Sequence, residues 1–472
     1  MDRRSFLTGS ACALAAMATH HVFAESATTP LRIQIDRSRT LGRIPSIFTG
    51  LGYEISSASI PGLLSPSNHS YIGLVRALGS RGVVRVGGNT SDFSSFRPDG
   101  KLVSSPKATV INSQSLSELS RFLDATDWQL IWGLNLGSGS EQQAALEAQA
   151  VSGAVGSKLL AFEIGNEPDL FAHSGHRPAS YSYEQYLQEY RRYKSAIRAQ
   201  VPAAPFAGPD VALHTEWAVR FAKDEGHDLK LLTHHYYRGG ASNPHSSLNE
   251  LLAPDPNLST MLDAMRDASR EAGIPYRIVE TNSFSGGGKR GVSDTFGSAL
   301  WALDYMFTLA SHGAAGLNME TGMNQLGFVS PYSPIMDDQQ GHYTAAPDYY
   351  GMLAFSHFVG GELLAADYDA PALNATVYAA KRDGNMLVAI INKDRVRAAE
   401  ANIAVTNEFQ RATAVRLTGP SLESTTDVTL GGSTVGAGGQ SRAASIERIR
   451  FNRGCRLHVP AASAALVTLY GK

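Results

Sequence analysis

The stretch KLLAFEIGNEPDLF (158–171) contains a pattern that recurs along the chain and predicts its fold. An apolar run of strand length ends in Asn166 and Glu167, and Pro168 follows directly. Proline has a fixed φ and no amide hydrogen to donate to a sheet, so the strand cannot continue past it. We therefore expect Asn166 and Glu167 to stand at the end of a buried strand, outside the packed core.

Eight runs of this kind, each ending in polar or glycine residues, alternate with segments of helical periodicity. The runs are SIFTGLGYE (46–54), GVVRVGG (82–88), QLIWGLNLG (129–137), LLAFEIGNE (159–167), PFAGPDVA (205–212), LLTHHYYRG (231–239), YRIVETNS (276–283) and AAGLNMETG (314–322). This alternation predicts an α/β fold, a (β/α)8 TIM barrel over residues 46–360. A doubly wound open sheet is the alternative, but GLGYEISS (50–57) lacks the G-x-G-x-x-G spacing of a dinucleotide site.

From about residue 361 the helical periodicity gives way to alternating apolar and polar residues with Gly, Asn and Asp turns. ATVYAAKRDGNMLVAIINKD (375–394) is typical. This pattern predicts a C-terminal antiparallel β-sandwich domain over residues 361–472. LRIQIDRSRTLGRI (31–44) alternates in the same way, so we expect residues 25–45 to add a strand to that sandwich.

The N-terminal segment MDRRSFLTGSACALAAMATHHVFA (1–24) has paired arginines before a short apolar run. It resembles a bacterial twin-arginine signal peptide, which predicts export to the periplasm or the medium. Only Cys455 remains after this segment, so neither an internal disulfide nor a cysteine zinc site is expected. The net charge of −2 gives no reason to expect nucleic acid as a partner, and no later stretch predicts a membrane span.

Polar residues stand at the predicted strand ends, where barrel enzymes carry their active sites. They are Glu54, Asn89, Asn135, Asn166, Glu167, Asp210, Tyr236, Tyr237, Glu280, Asn318 and Glu320. Glu167 ends the fourth run and Glu280 the seventh, so their carboxyl groups can face each other across the barrel mouth. Glycoside hydrolysis needs such a pair, one protonated to release the leaving oxygen and one ionised to attack or shield the sugar carbon. Glu163, four residues before Glu167, is expected to be structural.

The separation of the two carboxyl groups decides the stereochemistry, and the sequence leaves it open. A distance of about 5–5.5 Å makes the second carboxylate a nucleophile with retention, whereas about 6.5–9.5 Å admits a water molecule and gives inversion. Adjacent His234 and His235 point to opposite faces of a strand, so they do not predict a metal site.

Asn-Glu-Pro after one apolar strand and Glu280 after another resemble the retaining glycosidases of clan A. VETNSFSGGGKRGVSDTF (279–296), RVGGNTSDF (85–93) and THHYY (233–237) are similar to motifs of glycoside hydrolase family seventy-nine, the family of β-glucuronidases and heparanases. The resemblance covers most of the barrel. It implies a retaining β-glucuronidase that hydrolyses small-molecule or oligosaccharide β-D-glucuronides by double displacement, without a metal or cofactor.

The resemblance also implies roles for single residues. Glu167 would be the acid/base and Glu280 the nucleophile. Asn166 would bind the sugar 2-hydroxyl, and Tyr236 would hydrogen-bond the nucleophile. Glu54 and Asn89 are expected partners of other sugar hydroxyls.

The C6 carboxylate of the sugar would be bound by the backbone amides of Gly286 and Gly287. Lys289 and Arg290, which follow in the same loop, are expected to be solvated. The family also uses a tyrosine after the eighth strand. Phe328 occupies the direct alignment here, so Tyr332 is the candidate.

Three alternatives remain at this stage. A clan A glycosidase acting on a β-glucoside or β-xyloside would share the two carboxylates, and a heparanase-like endo-β-glucuronidase would share the sugar as well. A carbohydrate-binding protein with a decayed barrel is a third alternative, although a binder has no need of two opposed carboxylates.

Overall fold

We describe a computed structural model of the chain over residues 28–101, 108–322, 329–370, 372–404, 409–451 and 454–471. The predicted signal peptide (1–24) and Phe328 lie outside these residues. None of the described helices is long and apolar enough to cross a membrane.

Eight parallel strands close into a barrel, as predicted. Barrel strands 1 to 8 are Gly50–Glu54, Val83–Gly87, Gln129–Leu134, Leu159–Ile164, Phe206–Val211, Leu229–Tyr237, Tyr276–Asn282 and Leu317–Glu320. Each strand pairs with the next in chain order, and strand 8 pairs with strand 1 through Met319 and Leu51. The carboxyl ends of all these strands therefore open at one mouth.

Helices cover the outside of the barrel. The longer ones are His69–Leu78, Ser113–Thr126, Glu141–Val155, Tyr183–Gln200, Thr215–Glu225, Pro256–Ala272, Phe296–Ser311 and Pro347–Ser356. Shorter helical segments are Ile55–Ala58, Asn89–Phe93, Gly156–Lys158, Pro168–Leu170, Phe171–Ser174, Gly226–Asp228 and Leu248–Leu252. Local sequence fixes several starts: Asn112 and Ser140 each accept a hydrogen bond from the backbone N–H three residues ahead.

The barrel interior is filled in layers by inward-facing side chains. Barrel strands 2 to 7 each contribute one residue to a separate apolar cluster: Val83, Ile131, Ala161, Ala207, Leu231 and Val279. Two residues further along strand 2 lies Arg85, and two further along strand 4 lies Glu163, both fully buried. A polar layer thus sits above the apolar one, directly beneath the mouth.

A bulge in barrel strand 7 brings Glu280 into the mouth. Ile278 pairs with His234, but Glu280 pairs with His235, so one extra residue is inserted on strand 7. Because side chains alternate along a strand, Val279 and Glu280 would otherwise point to opposite faces. The inserted residue lets Val279 face the apolar layer while Glu280 faces the site, which is a common use of bulges next to active sites.

The second domain is a single ten-stranded sheet, with two short two-stranded pieces elsewhere (Ser94–Phe96 with Thr109–Ile111, and Ile335–Asp337 with Tyr343–Ala345). Its strands are Thr28–Arg43, Glu362–Asp369, Ala375–Arg382, Asn385–Asn392, Ala398–Ile403, Phe409–Thr418, Thr429–Leu430, Glu447–Ile449, Cys455–Val459 and Ser463–Gly471. Leu31, Val388, Leu457 and Val467 pack in one core, so the sheet folds over on itself.

The antiparallel β domain is as predicted, with one parallel pair. Thr28–Arg43 runs antiparallel to Glu362–Asp369 but parallel to Ala398–Ile403. Parallel neighbours need a long crossover connection. Here the whole barrel lies between the two strands in the chain, so it forms part of that connection.

The sheet packs against the last two barrel helices. Phe307 stacks on Tyr378 with ring centroids 4.6 Å apart and also contacts Phe355 and Phe358. Asp304 accepts hydrogen bonds from Thr376 at 2.6 Å and Tyr378 at 2.7 Å. The two domains therefore share one apolar core, and side-chain hydrogen bonds to Asp304 connect them at its edge.

Candidate active site

The two predicted catalytic carboxylates meet at the barrel mouth. Glu167 follows barrel strand 4 in a left-handed conformation with φ of 52°. Such a φ is uncommon for a residue with a side chain, and it is held here because the Glu167 amide donates to the carbonyl of Asp210 at 2.9 Å. Glu280, on barrel strand 7, reaches the same space and accepts a hydrogen bond from the buried Arg85.

Arg85, from barrel strand 2, is the centre of the polar layer. Its guanidinium donates to Glu280 at 2.6 Å, to Asp210 at 2.8 Å and to Glu163 at 3.2 Å. It also donates to the amide oxygen of Asn166 at 2.8 Å. Its donors thereby fix Glu280 and Asn166 relative to each other, since all these side chains are buried.

Glu163 lies in the polar layer against Arg85, and its surroundings favour the protonated form. Burial, followed by repulsion from Asp210, raises its pKa to about 8, even though Arg85 counteracts this. Removing this negative charge leaves Arg85 to balance Asp210 and Glu280.

His235 links the acid/base candidate to the same network. Its Nε2 lies 2.5 Å from Asp210 and its Nδ1 lies 3.1 Å from Glu167. Burial alone would lower the pKa of His235, but the carboxylates of Asp210 and Glu280 outweigh it and raise the pKa well above the usual value. The raised pKa favours the imidazolium form of His235, in which both ring nitrogens carry a hydrogen toward a carboxylate.

Burial raises the pKa of Glu167, and repulsion from Glu280 adds to the shift, although the hydrogen bond from His235 opposes it. The proton is therefore retained at higher pH than in an exposed glutamate. Glu280 instead receives hydrogen bonds from Arg85 at 2.6 Å and from Tyr237 at 2.9 Å. Burial thus favours a proton on Glu167, whereas Glu280 is surrounded by hydrogen-bond donors. Such different surroundings are what an acid and a nucleophile require.

Ligand atoms of Glu167, His235 and Glu280 lie within 4.8 Å of one another. The two carboxyl groups are therefore close enough to act on one sugar, as a pair of glycosidase carboxylates must. The same three residues could in principle hold a metal ion, although both ring nitrogens of His235 already lie within hydrogen-bond distance of a carboxylate. His234 points away from this cluster, with Nε2 3.0 Å from the hydroxyl of Thr215.

The prediction that Tyr236 hydrogen-bonds Glu280 is wrong, because the neighbouring Tyr237 makes that bond. Tyr237 donates to Glu280 at 2.9 Å, whereas Tyr236 donates to Asp255 at 2.7 Å and stacks on Tyr305. Alternation along barrel strand 6 explains the difference, since the side chains of His235 and Tyr237 point the same way. Tyr236 turns toward the helices, although it still lines the edge of the cavity.

The predicted sugar-binding residues lie beside the nucleophile. Asn166 donates from its amide nitrogen to Asn89 at 3.3 Å. Glu54 accepts from the backbone of Asn89 at 3.1 Å and of Thr90 at 2.7 Å. Burial and repulsion from Glu280 raise the pKa of Glu54 to about 7. Glu54, Asn89, Glu167 and Glu280 all line one cavity of about 1010 Å³.

The glycine loop after barrel strand 7 lines the same cavity through Gly286 and Gly287. Gly286, Gly287 and Gly288 all have positive φ, between 79° and 89°. A Cβ on Gly288 would stand 2.8 Å from the Cβ of Tyr332. Glycine is therefore needed here both for the backbone conformation and for close approach.

Tyr332, the predicted tyrosine after strand 8, is buried in the cavity wall, with its ring stacked on that of Tyr237 at 6.3 Å. Lys289 was expected to be solvated, but its ammonium has protein partners instead. Its ammonium donates to the carbonyls of Ser246 at 2.7 Å and Asn243 at 3.3 Å, which ties the glycine loop to the loop after strand 6. Arg290 is exposed.

Two of the polar strand-end residues serve the scaffold. Asn135 caps the turn that follows strand 3, accepting from Ser138 at 2.9 Å, and Asn318 accepts from the buried Arg277 at 2.7 Å. Glu320 does line the cavity, and burial together with repulsion from Glu280 raises its pKa to about 8.

Arg85 and His235 were not identified as site residues from the sequence. The signal for Arg85 was a charge inside the apolar run GVVRVGG (82–88), since a charged residue in a buried strand must find partners inside the barrel. The signal for His235 was its position two residues before Tyr237, because side chains two residues apart on a strand point to the same face.

Known proteins are similar to this chain in sequence, although a comparison with models of protein families gives no match. A β-glucuronidase of Aspergillus niger is 31% identical over 368 residues, covering 69% of this chain and 66% of that protein. A β-glucuronidase of Neurospora crassa is 28% identical, covering 73% and 69% of the two chains. Heparanase of Gallus gallus is 24% identical, covering 73% and 75%. The chain thus spans about two thirds of the length of the Aspergillus protein.

Solved structures share the fold. A 4-O-α-L-rhamnosyl-β-D-glucuronidase from Fusarium oxysporum superimposes with a TM-score of 0.75 at 17% identity, covering 93% of this chain and 100% of that chain. An arabinofuranosidase from Xanthomonas axonopodis gives a TM-score of 0.66 at 14% identity, covering 93% and 99%. At these identities the likeness concerns the fold alone. The sequence relationship with the β-glucuronidases goes further, and the chain belongs to glycoside hydrolase family seventy-nine, the family of β-glucuronidases and heparanases.

Proposed function

We propose that this protein is a retaining β-glucuronidase that hydrolyses β-D-glucuronides by double displacement. The observation that carries the proposal is the pair of carboxylate oxygens of Glu167 and Glu280, within 4.8 Å of each other in a cavity that the glycine loop also lines. The pair supports retaining glycoside hydrolysis, and the loop supports a sugar that carries an anion.

In the first step Glu280 attacks C1 of the sugar and Glu167 gives its proton to the departing oxygen. The C1–O bond to the leaving group breaks as the bond to Glu280 forms. Arg85 and Tyr237 donate hydrogen bonds to Glu280 and hold it in one orientation. Asn166, itself oriented by Arg85, is placed to bond the 2-hydroxyl, an interaction that strengthens in the transition state.

In the second step the roles of the acid/base reverse. Glu167, now ionised, takes a proton from a water molecule, which attacks C1 and releases Glu280. The product keeps the β configuration because two inversions occur. His235 donates to Glu167 in this state and stabilises its negative charge, so the same residue can lose and regain its proton.

The C6 carboxylate distinguishes a glucuronide from a glucoside, and an anion is costly to bury without donors. We infer that the amides of Gly286 and Gly287, with the Tyr332 hydroxyl, receive this carboxylate. Successive amides in glycine-rich turns form small anion-binding concavities. Glu54 and Asn89 then face the remaining hydroxyls.

A mechanism-based trap tests both sugar and nucleophile. An activated 2-deoxy-2-fluoro-β-glucuronide should inactivate the enzyme and leave the sugar covalently on Glu280, identified by mass spectrometry of proteolytic peptides. The glucose-configured analogue should react at least ~100-fold more slowly, because the carboxylate donors are then unpaired. A label on any other residue would refute the assignment of the nucleophile.

We also infer that residues 1–24 direct twin-arginine export of the folded enzyme in a bacterial host. The supporting observation is DRRSFLTGSA (2–11) before a short apolar run. Replacing Arg3 and Arg4 together with lysine should leave active enzyme in the cytoplasm. Normal export of that double variant would contradict the inference.

A further inference from the structure

The cavity has two walls of different character. Residues from strands 1, 2, 7 and 8 form the polar wall assigned above to the sugar. The opposite wall is formed by loops after barrel strands 4 and 5 and by the helix Pro256–Ala272. Its apolar lining residues are Leu170, Ala212, Leu213 and Met261, and its polar ones are Thr215, Asp255 and Asn257. The volume of about 1010 Å³ is that of a site for a drug-sized ligand, larger than one sugar needs.

The apolar wall adjoins the acid/base residue. Leu170 closes the short helical turn Pro168–Leu170, which begins directly after Glu167. In the proposed reaction the proton of Glu167 goes to the leaving oxygen. The group attached to that oxygen therefore extends toward the wall that starts at Leu170.

Leu213 is held in an exposed position because backbone amides of its loop donate hydrogen bonds to Asp169. The backbone amides of Ala212, Leu213 and His214 all donate to the carboxylate of Asp169, at 2.8 to 3.0 Å. Asp169 is two residues after Glu167, so the loop is anchored to the acid/base turn. Despite this anchoring, Leu213 is 71% exposed. A large apolar side chain fixed in water at a cavity rim has surface to offer a ligand.

Positive charge on this side of the cavity is already neutralised. Arg238 is the only lysine or arginine among the described residues that line the cavity. Its guanidinium pairs with Asp255 at 2.7 Å and also donates to the carbonyl of Glu250 at 3.1 Å. A strongly anionic chain, such as a sulfated polysaccharide, would find no free cation among these lining residues.

We propose that Leu170, Ala212, Leu213 and Met261 form an apolar leaving-group subsite that accepts an aliphatic or aromatic aglycone. The inference rests on the proposed function, since it assumes that Glu167 protonates the leaving oxygen. It names the substrate class as β-glucuronides of apolar alcohols or phenols rather than glucuronic acid within a polyanionic chain.

Methyl and hexyl β-D-glucuronide test the subsite, because their leaving alcohols are of similar acidity and differ in apolar surface. Burying two methylene groups of the hexyl chain is worth about tenfold in binding. We therefore expect hexyl to exceed methyl glucuronide in kcat/KM by at least about tenfold. Leu213→Ser and Met261→Ser should each lower that ratio, and the double variant should bring it close to one.

Leu146→Ser is the matched control, since Leu146 is also an exposed leucine (57%) but lies on the helix Glu141–Val155, outside the cavity. Its hexyl-to-methyl ratio should equal that of the wild type. A wild-type ratio near one would overturn the proposal, and so would a high ratio that survives the Leu213→Ser, Met261→Ser double change. Alkyl glucosides separate the two hypotheses. If only glucosides were cleaved, the proposed function would fail, and their hexyl-to-methyl ratio would still decide the subsite.

Discussion

At the scale of single residues, Arg85 determines how the charges of the site are arranged. It is fully buried and donates to Glu163, Asp210 and Glu280. Arg85 and His235 both contact Asp210 beneath the mouth, and Arg85 also contacts Glu280. Burying such charges is costly unless each has close partners, and here each has at least one. Glu280 is thereby held in one orientation at the edge of the cavity.

The contact of Tyr237 with the nucleophile predicts a contrast between two neighbouring tyrosines. Tyr237→Phe removes a hydrogen bond to the charged Glu280 and should lower kcat about ten- to a hundredfold, as expected for a bond to an ionised group. Tyr236→Phe removes a bond to Asp255 instead and should change kcat by less than about threefold. Steady-state kinetics on one aryl glucuronide measures both. Equal losses in the two variants would contradict the assignment.

The raised pKa of Glu167 predicts the alkaline side of the pH profile. Glu167 acts as an acid in the first step, so activity is present below its folded-state pKa and falls as pH rises through it. Because burial moves this pKa upward, the fall should come at higher pH than for an exposed glutamate. Glu54 and Glu320, with pKa values of about 7 and 8, line the same cavity and could also titrate.

Glu167→Ala separates these contributions. With an activated dinitrophenyl glucuronide and azide, the variant should still turn over, and its activity should no longer show the alkaline fall of the wild type. Retention of that fall in the variant would assign it to another group.

The sequence predicted that Glu167 and Glu280 stand at strand ends, because each directly follows or ends an apolar run of strand length, and both line the cavity. It was not sufficient to choose between Tyr236 and Tyr237. That choice depends on the phase of alternation on strand 6 relative to strand 7, and the bulge at Val279 sets this phase. Partners such as Arg85 and Glu280 lie on different strands, so their contact arises only when the barrel closes.

At the scale of elements, the loop after barrel strand 7 connects the nucleophile to the predicted carboxylate site. Gly287 is buried, has φ of 89°, and its carbonyl accepts from the amide of Tyr332 at 3.5 Å. Lys289 ties the loop to the neighbouring one. The loop is therefore positioned by contacts with Tyr332 on one side and with the loop after strand 6 on the other. The three glycines in the sequence did not predict these contacts.

Gly287→Val should lower kcat/KM for glucuronides by at least ~100-fold, because a β-branched residue is strained at positive φ and displaces the amides. Gly273→Val is the control. Gly273 also has positive φ, of 68°, but ends the helix Pro256–Ala272, with no atom within 4 Å of an added Cβ. It should lose stability without losing preference for the glucuronide. The ratio of glucuronide to glucoside efficiency distinguishes the two outcomes, and an unchanged ratio in Gly287→Val would argue against the loop.

At the scale of the whole molecule, the barrel and the folded-over sheet act as one structural unit. Strand Thr28–Arg43 precedes the barrel in the chain yet lies within the sheet, and Phe307 and Phe355 of the barrel helices pack together in the core that reaches Tyr378. The alternating patterns predicted both domains. The parallel pairing of the first strand and the single continuous sheet depend on long-range neighbours, which alternation does not specify.

Asp304 should be the most sensitive polar residue of this interface. It pairs with Lys393, whose side chain is 5% exposed. Asp304→Asn leaves that ammonium buried without a countercharge, and should lower the free energy of unfolding by about 3 kcal/mol. Asp263→Asn breaks an exposed pair with Arg266 and should cost less than about 1 kcal/mol. Thermal unfolding of both variants measures the difference, and similar Tm values would show that the interface does not depend on the buried pair.

The central claim is that a glycosidase built on Glu167 and Glu280 selects a sugar with an ionised C6 carboxylate. The most direct measurement is kcat/KM of the wild-type enzyme for 4-nitrophenyl β-D-glucuronide against the matching β-glucoside and β-xyloside. The leaving group is the same in all three, so only recognition of the sugar differs. Donors left unpaired by the wrong sugar cost a few kcal/mol, so the glucuronide should be favoured by at least ~100-fold. Equal efficiency on the glucuronide and the glucoside would contradict the claim and assign the protein to neutral sugars.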